Sequence, residues 1–477
     1  MSPKKKLKMK KKVKKKHKKK MGRSTKHNDD VAYIDECDDR IRVSVRFRPP
    51  NKKEIASDGE HGEVVRMCCG INADGRSCQV TDAYRGKVTP FTFDAVLGPS
   101  ASQDQTFHRI AAPLVGAALS GLNTACIAYG QTGSGKTHTM FGPGFDISPE
   151  RRQKKAQWMC QPSEYGIVPR LLDSLFARLR MKCDDIESEV ECAFVQIYNE
   201  KVTDLITCLR LRVHQNPFGS FEHNALFTPV GSTEDLLALV REGLMNRVTA
   251  KTGANATSSR SHAILSIRLV QRELDTGIAR MSSIDLVDLA GSEKVAKTGA
   301  FGTRLREAQH INKSLFSLSK VIEQLSAADQ PKDAFVPYRN SVLTKLLKDK
   351  LSGNAVTSIL VCASSHPYNV SETLSSLSFG ARAKYIETSP VENIQETAEE
   401  LRMAISRLSK TCCRQRRTMR HLQSNVAIHK KLVQQVISRI PEDSSILHDI
   451  YAVLPSLSLL PRMGVWNSVF SIPKWVM

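Results

Sequence analysis

The octamer Gly130-Gln131-Thr132-Gly133-Ser134-Gly135-Lys136-Thr137 fits the spacing G-x-x-x-x-G-K-[ST], in which loop amides, a helix N-terminus and a lysine together neutralise a chain of phosphates. The five residues before it, Ala125-Cys126-Ile127-Ala128-Tyr129, are apolar, β-branched or small and read as a buried strand. The loop therefore stands at a strand-to-helix switch, the setting the motif requires. A Gly-rich turn without a ligand is the ordinary alternative, and the strand context argues against it.

Short strand-like runs, Arg42 to Phe47, Val190 to Val195, Ile264 to Ile267 and Ser283 to Val287, alternate with longer helical patterns at 168 to 181 and 303 to 325. That rhythm runs from about residue 40 to 386 and predicts an α/β domain, assigned to residues 31 to 386, with helices on both faces of a central, mostly parallel sheet. A surface loop is expected at 142 to 165, where Gly, Pro and the charged run Glu150 to Lys155 interrupt the periodicity. Beyond Pro390, Leu401, Ile405, Leu408, Cys412, Met419, Leu422, Val426, Val433, Val436 and Ile440 recur at alternating spacings of four and three. This heptad seam predicts a short coiled coil at 398 to 440, closed by Pro441, and with it a homodimer. Gln415 and His429 fall on the same seam, so a single amphipathic helix folded on the core is the alternative. Residues 441 to 477 carry no assignment.

Charge is concentrated at the amino terminus, where Lys4 to Lys20 contains thirteen lysines within a chain of net charge +22. Self-repulsion predicts a disordered segment over residues 1 to 30 that seeks a polyanion. Nucleic acid, an anionic membrane, a nuclear import receptor and an acidic protein filament all fit; nucleic acid is not the favoured partner. Twelve scattered cysteines without a C-x-x-C repeat point to reduced thiols rather than a zinc cage. No run of eighteen uninterrupted apolar residues exists, and the apolar stretch 450 to 477 is broken by Pro455, Pro461, Arg462 and Pro473; no membrane span is expected.

A triphosphate site also needs a metal clamp, a γ-phosphate sensor and an oriented water. Three segments carry suitable residue types: the hydroxyl-rich Asn255 to His262, the strand-ending acid and glycine of Asp288-Leu289-Ala290-Gly291-Ser292-Glu293, and Arg46-Phe47-Arg48-Pro49, which can pack on a base. A serine-rich turn, a helix-capping aspartate and a proline-stopped edge strand are their ordinary alternatives.

Taken together these segments resemble the kinesin motor domain over residues 36 to 400. Asn255 to His262 matches that family's N-x-x-S-S-R-S-H switch, Asp288 to Glu293 its D-L-A-G-S-E switch, and Gly130 to Thr139 its G-Q-T-x-S-G-K-T-x-T loop. Further matches are Ile311 to Leu315, Val336 to Arg339, Ser371 to Leu374 and Phe379 to Lys384. Gly291 to Ala300 and Asn393 to Glu400 are most similar to conventional kinesin heavy chain.

The resemblance implies a microtubule-stimulated ATPase, plus-end directed, acting in the cytoplasm on the cytoskeleton with ATP and Mg²⁺. It assigns the phosphates to Gln131, Thr132, Gly133, Ser134, Gly135, Lys136 and Thr137, and Mg²⁺ to Thr137, Ser259 and, through water, Asp288. Ser258 is expected to position the attacking water, Gly291 to report the γ-phosphate, and Arg260 and Glu293 to pair as the switches close. Arg46, Arg48, Pro49 and His138 are expected around adenine. Residues 387 to 397 correspond to a neck linker latched by Asn393, with residues 31 to 39 as its pairing strand. Lys294, Lys297, Arg304, Lys313, Arg339 and Lys345 are expected on tubulin. Val342 stands where the family usually has lysine and Phe335 where it often has tyrosine or histidine. A kinesin-like regulator of microtubule ends and a non-enzymatic basic scaffold are the competing functions.

Overall fold

The computed structural model describes residues 40–57, 67–143, 161–182, 184–217, 219–249, 257–293, 303–327 and 335–395, together with helical residues at 409, 415–420, 422–429, 431–432 and 435. The chain divides into Met1–Gln395 and Glu396–Met477. In the first unit the main sheet comprises β1 Arg42–Arg48, β2 Ala95–Leu97, β3 Thr124–Tyr129, β4 Ile186–Tyr198, β5 Lys201–Asp204, β6 Arg210–Leu211, β7 Thr228–Pro229, β8 His262–Glu273, β9 Ala279–Asp288, β10 Val356–Ser364 and β11 Asn393–Gln395. The helices are α1 Lys52–Ser57, α2 Gln103–Ile110, α3 Ala112–Leu119, α4 Lys136–Phe141, α5 Ile167–Arg180, α6 Thr233–Thr249, α7 Thr303–Ser326, α8 Val342–Leu346, α9 Lys348–Ser352 and α10 Val370–Ala383.

Strand order is β2-β1-β10-β3-β9-β8-β4-β5-β6, with β7 added to β4 and β11 to β9. The five strands from β2 to β9, which frame the loop after β3, run parallel. Beyond β9 the pairings turn antiparallel through β8, β4, β5 and β6. The expected strands lie within β1, β4, β8 and β9; the pattern at 303 to 325 lies within α7, and that at 168 to 181 falls on α5 and runs one residue past its end.

Burial on both faces explains why the central strands are apolar throughout. Along β3, Cys126 and Ala128 enter a core shared with Phe107, Leu114, Leu171, Leu175, Leu236 and Val240 of α2, α3, α5 and α6. Ile127 and Tyr129 point the other way, into a core with Leu315, Leu318, Leu343, Leu351 and Leu377 of α7 to α10. The two-residue period of the strand thus feeds two cores. On the second face Tyr129 stacks on Phe379 at 3.8 Å between centroids. Helix α2 starts with a capping box in which Ser102 and Gln105 exchange hydrogen bonds, a pattern visible in Ser102-Gln103-Asp104-Gln105.

Asn393 ties β11 to the sheet. Its side-chain amide donates to the carbonyls of Gly121 (2.9 Å) and Met281 (3.2 Å), and its own oxygen accepts from Asn354 (2.7 Å). The adjoining Glu392 pairs with Arg280 at 2.7 Å, and Arg280 also meets Glu273.

Residues 1–39, which hold the lysine block and the expected pairing strand, lie outside the described residues, as do 144–160 of the expected surface loop. Most of the heptad seam does too. Its described members Met419, Leu422 and Val426 are helical and exposed. Among the described residues no helix is long and apolar enough to cross a membrane.

Candidate nucleotide site

The loop leaves β3 through three glycines with positive φ, Gly130 (147°), Gly133 (73°) and Gly135 (97°), a region open to glycine at little cost. At Gly130 the constraint is also steric, because a Cβ would lie 2.1 Å from the carbonyl oxygen of Cys362 on β10. Lys136 opens α4 and folds back over the loop, its ammonium donating to the carbonyls of Gly130 (2.7 Å) and Gln131 (2.9 Å). Burial pushes its pKa below the usual lysine value, partly opposed by Asp288. The side-chain oxygens of Ser134 and Gln131 are buried in the same loop without a hydrogen-bond partner. The Gln131 oxygen only accepts, but a loop that brings together a cation and an unpartnered hydroxyl able to donate is suited to a multiply charged anion.

Asp288 ends β9, and its Oδ2 accepts from Thr137 Oγ1 at 2.9 Å. The same oxygen is paired with Arg247 at 2.9 Å, both side chains being 1% exposed. Arg247, on α6, also donates to the side chain of Ser261 (3.2 Å) and to its carbonyl (2.8 Å). Sequence reasoning missed this residue, since one arginine in an ordinary helix carries no local signal. Asp288 Oδ1 is buried and unpartnered, which fits a group reaching a metal through water.

The two switch segments touch directly, the Gly291 amide donating to the Ser259 carbonyl at 2.9 Å, and the second also meets the phosphate loop, the Ser292 amide donating to the Gly130 carbonyl at 3.2 Å. Glu293 lies on the phosphate loop, accepting from the Thr132 amide (2.7 Å) and hydroxyl (2.5 Å). No ion pair joins it to Arg260 among the described residues. The Ser258 side chain lies outside what the structure describes.

Of the residues expected around adenine, Arg46 is turned inward. Its guanidinium donates to Gln103 (2.8 Å), Thr139 (2.9 Å) and the Ala101 carbonyl (3.2 Å), bracing α4 against α2. Pro49 and His138 are exposed at the rim, and His138 Nδ1 lies 3.3 Å from Gln103 Nε2. Arg48 reaches the loop itself, its Nε donating to the Gly133 carbonyl at 2.6 Å. The rest of its guanidinium is held by Glu54 at 2.6 and 2.7 Å.

Burial pushes the Glu54 carboxyl up, but hydrogen bonds from Arg48, the Asn51 amide and Ser364 outweigh it and hold the pKa at about 2. A lowered carboxyl pKa contributes stability that is complete above the ordinary value of 4.5 and drains away as pH falls through that value toward 2. Acid unfolding of Glu54→Gln, followed by circular dichroism from about pH 5 downward, is expected to be less steep than that of the parent; superimposable curves would contradict this linkage.

Of the expected filament contacts, Lys313 is exposed on α7, Arg339 is exposed on the turn Tyr338–Asn340 and bonds Gln215 at 2.9 Å, and Lys345 lies on α8. Leu315, Leu318, Leu343 and Leu347 bury these elements in one core. Lys294 and Lys297 lie outside the described residues, as does the side chain of Arg304. The amide of Val342 is held by Glu200 at 2.8 Å, and Phe335 is exposed.

Comparison with known proteins bears on this arrangement. The family model for the kinesin motor domain matches residues 46–386. The kinesin heavy chain of Syncephalastrum racemosum is 37% identical over 372 residues, covering 77% of this chain but only 37% of that protein. Among solved structures, a fast kinesin is 35% identical with a TM-score of 0.66, covering 76% of this chain and 95% of that one. The KIF14[391-772] dimer, determined with AMP-PNP on a microtubule, is 32% identical with a TM-score of 0.66, covering 76% and 99%. This chain belongs to the kinesin family and carries its motor domain.

Proposed function

We propose that the chain is an ATP-driven microtubule motor that hydrolyses ATP to ADP and phosphate in a cycle accelerated by the filament. The observation that carries this reading is the bonding of the phosphate loop and both switch segments into one network, Gly130 to Ser292, Thr132 to Glu293 and Ser259 to Gly291. A change at the phosphates must then be felt by both switches.

The roles follow from the placement of each group. Lys136 and the amides of 133 to 137 bind the β- and γ-phosphates, with Gln131 and Thr132 on the loop's shoulder. Thr137, Ser259 and, through water, Asp288 would hold Mg²⁺, which when bound neutralises charge on the phosphate oxygens. Ser258 orients the attacking water and Gly291 senses the γ-phosphate. Glu293 exchanges Thr132 for Arg260 as the switches close, with Arg48, Pro49 and His138 at the base. Lys313, Arg339 and Lys345, with Lys294, Lys297 and Arg304, face the acidic filament in a salt-sensitive attraction. Residues 398 to 440 pair two chains, and the lysine block at 1 to 30 tethers the motor to acidic tubulin segments.

Attachment of β11 to β9 and Gly121 through Asn393 supports a stroke in which the linker docks along the sheet, and with it plus-end movement. Asn393→Ala is expected to slow filament gliding several-fold while leaving ATP turnover without filament within about twofold, since the residue is remote from the phosphates but removes three hydrogen bonds. Gliding at the parental speed would contradict the latch. Polarity-marked microtubules test the whole reading: plus-end-directed movement is expected, filament shortening would indicate an end regulator, and inert tethering a scaffold.

A further inference from the structure

His262, which ends the first switch segment and opens β8, is buried against the second switch and α7. Its Nδ1 lies 3.0 Å from the Ala290 amide. A backbone amide only donates, so Nδ1 is the acceptor and the ring proton resides on Nε2. That nitrogen is 2.8 Å from the Ser314 hydroxyl, to which it donates. Burial, with the cations of Arg247 and Lys136 nearby, pushes the imidazole down to about 3, so the ring is neutral at physiological pH and keeps this one tautomer.

The neighbours on each side of this bridge matter. Ala290 precedes Gly291, whose amide lies on Ser259, and Ser292, whose amide lies on Gly130 of the phosphate loop. Ser314 is buried on α7 next to Lys313, which is exposed. One imidazole therefore stands one residue away from the phosphate-sensing glycine and one residue away from a cation proposed to meet the filament. A buried hydrogen-bonded pair with fixed donor and acceptor cannot slide continuously; it is either made or broken, as a two-position coupling element requires.

We propose that His262 is a positioning residue that couples the second switch to α7, holding Ser314 in register with Ala290 so that filament contact at α7 is transmitted to the phosphate pocket. This deepens the motor reading above and rests on it.

The 477-residue chain and its variants Ser314→Ala, Ser314→Thr and His262→Asn serve the test. The asparagine keeps an acceptor near the Ala290 amide and loses the reach to Ser314. ATP turnover is measured with and without polymerised tubulin. For Ser314→Ala the filament-stimulated kcat is expected to fall roughly fivefold or more, the scale of allosteric coupling, while turnover without filament and the half-saturating tubulin concentration stay within about twofold. Ser314→Thr, which keeps the hydroxyl, is expected to restore stimulation, and His262→Asn added to Ser314→Ala is expected to cost little more than either change alone. Full stimulation in Ser314→Ala, or additive losses in the double variant, would overturn the coupling.

Amide hydrogen exchange with and without AMP-PNP separates this proposal from the motor reading. In the parent, nucleotide is expected to change protection both in the phosphate loop and along α7; in Ser314→Ala and His262→Asn only the loop should respond. An α7 response kept in both variants would overturn the coupling. A parent with coupled exchange but no tubulin stimulation would instead overturn the motor reading.

Discussion

Lys136→Ala is expected to abolish ATP turnover, lowering kcat/KM by at least about a hundredfold with and without filament, the scale seen when one fixed charge is removed from a transition-state site. The ammonium is buried and held by the Gly130 and Gln131 carbonyls, so it is positioned before any anion arrives and costs little reorganisation when one does. Its pKa is lowered by burial, and a phosphate chain supplies the counter-charge that restores it. The fold should survive, because the two carbonyls it leaves have loop amides and solvent to turn to. Turnover in the variant that still responds to tubulin would place the site elsewhere.

Arg247→Ala should act on the fold as strongly as on the chemistry. Asp288 would retain a carboxylate 1% exposed, with Thr137 as its remaining donor to Oδ2, and Ser261 would lose two hydrogen bonds. Stripping one member from a buried ion pair costs roughly 3–5 kcal/mol, so thermal unfolding is expected to drop by on the order of 5–10 °C. Arg247→Lys should recover only part of this, because an ammonium cannot reach Asp288 and both Ser261 acceptors from the geometry of a guanidinium fork. An unchanged melting temperature in Arg247→Ala would show that the pair is not structural.

These two residues illustrate what was legible in the sequence. Lys136 sits in a contiguous motif whose strand, glycines and helix are fixed by local chemistry. The bounds of α5 and α7 were readable from periodicity to within a residue. Arg247 precedes Asp288 by 41 residues and meets it only once β8 and β9 have paired. The seat of Glu293 on Thr132 spans 161 residues and is likewise a product of strand order. Arg46 and Arg48 share one face of β1, yet one braces α2 and α4 while the other reaches Gly133, a division decided by Gln103 and Glu54 that no local pattern encodes. The antiparallel half of the sheet was hidden because long buried strands read alike in either direction.

The steady rate of ATP consumption by the purified 477-residue chain, measured at low salt with and without polymerised tubulin, tests the central claim most directly. Acceleration by at least about tenfold, roughly 1.4 kcal/mol of coupling between filament and pocket, is the result predicted from a phosphate loop bonded to the second switch, which is bonded in turn to the first. The same rate in the presence and absence of the filament would contradict it.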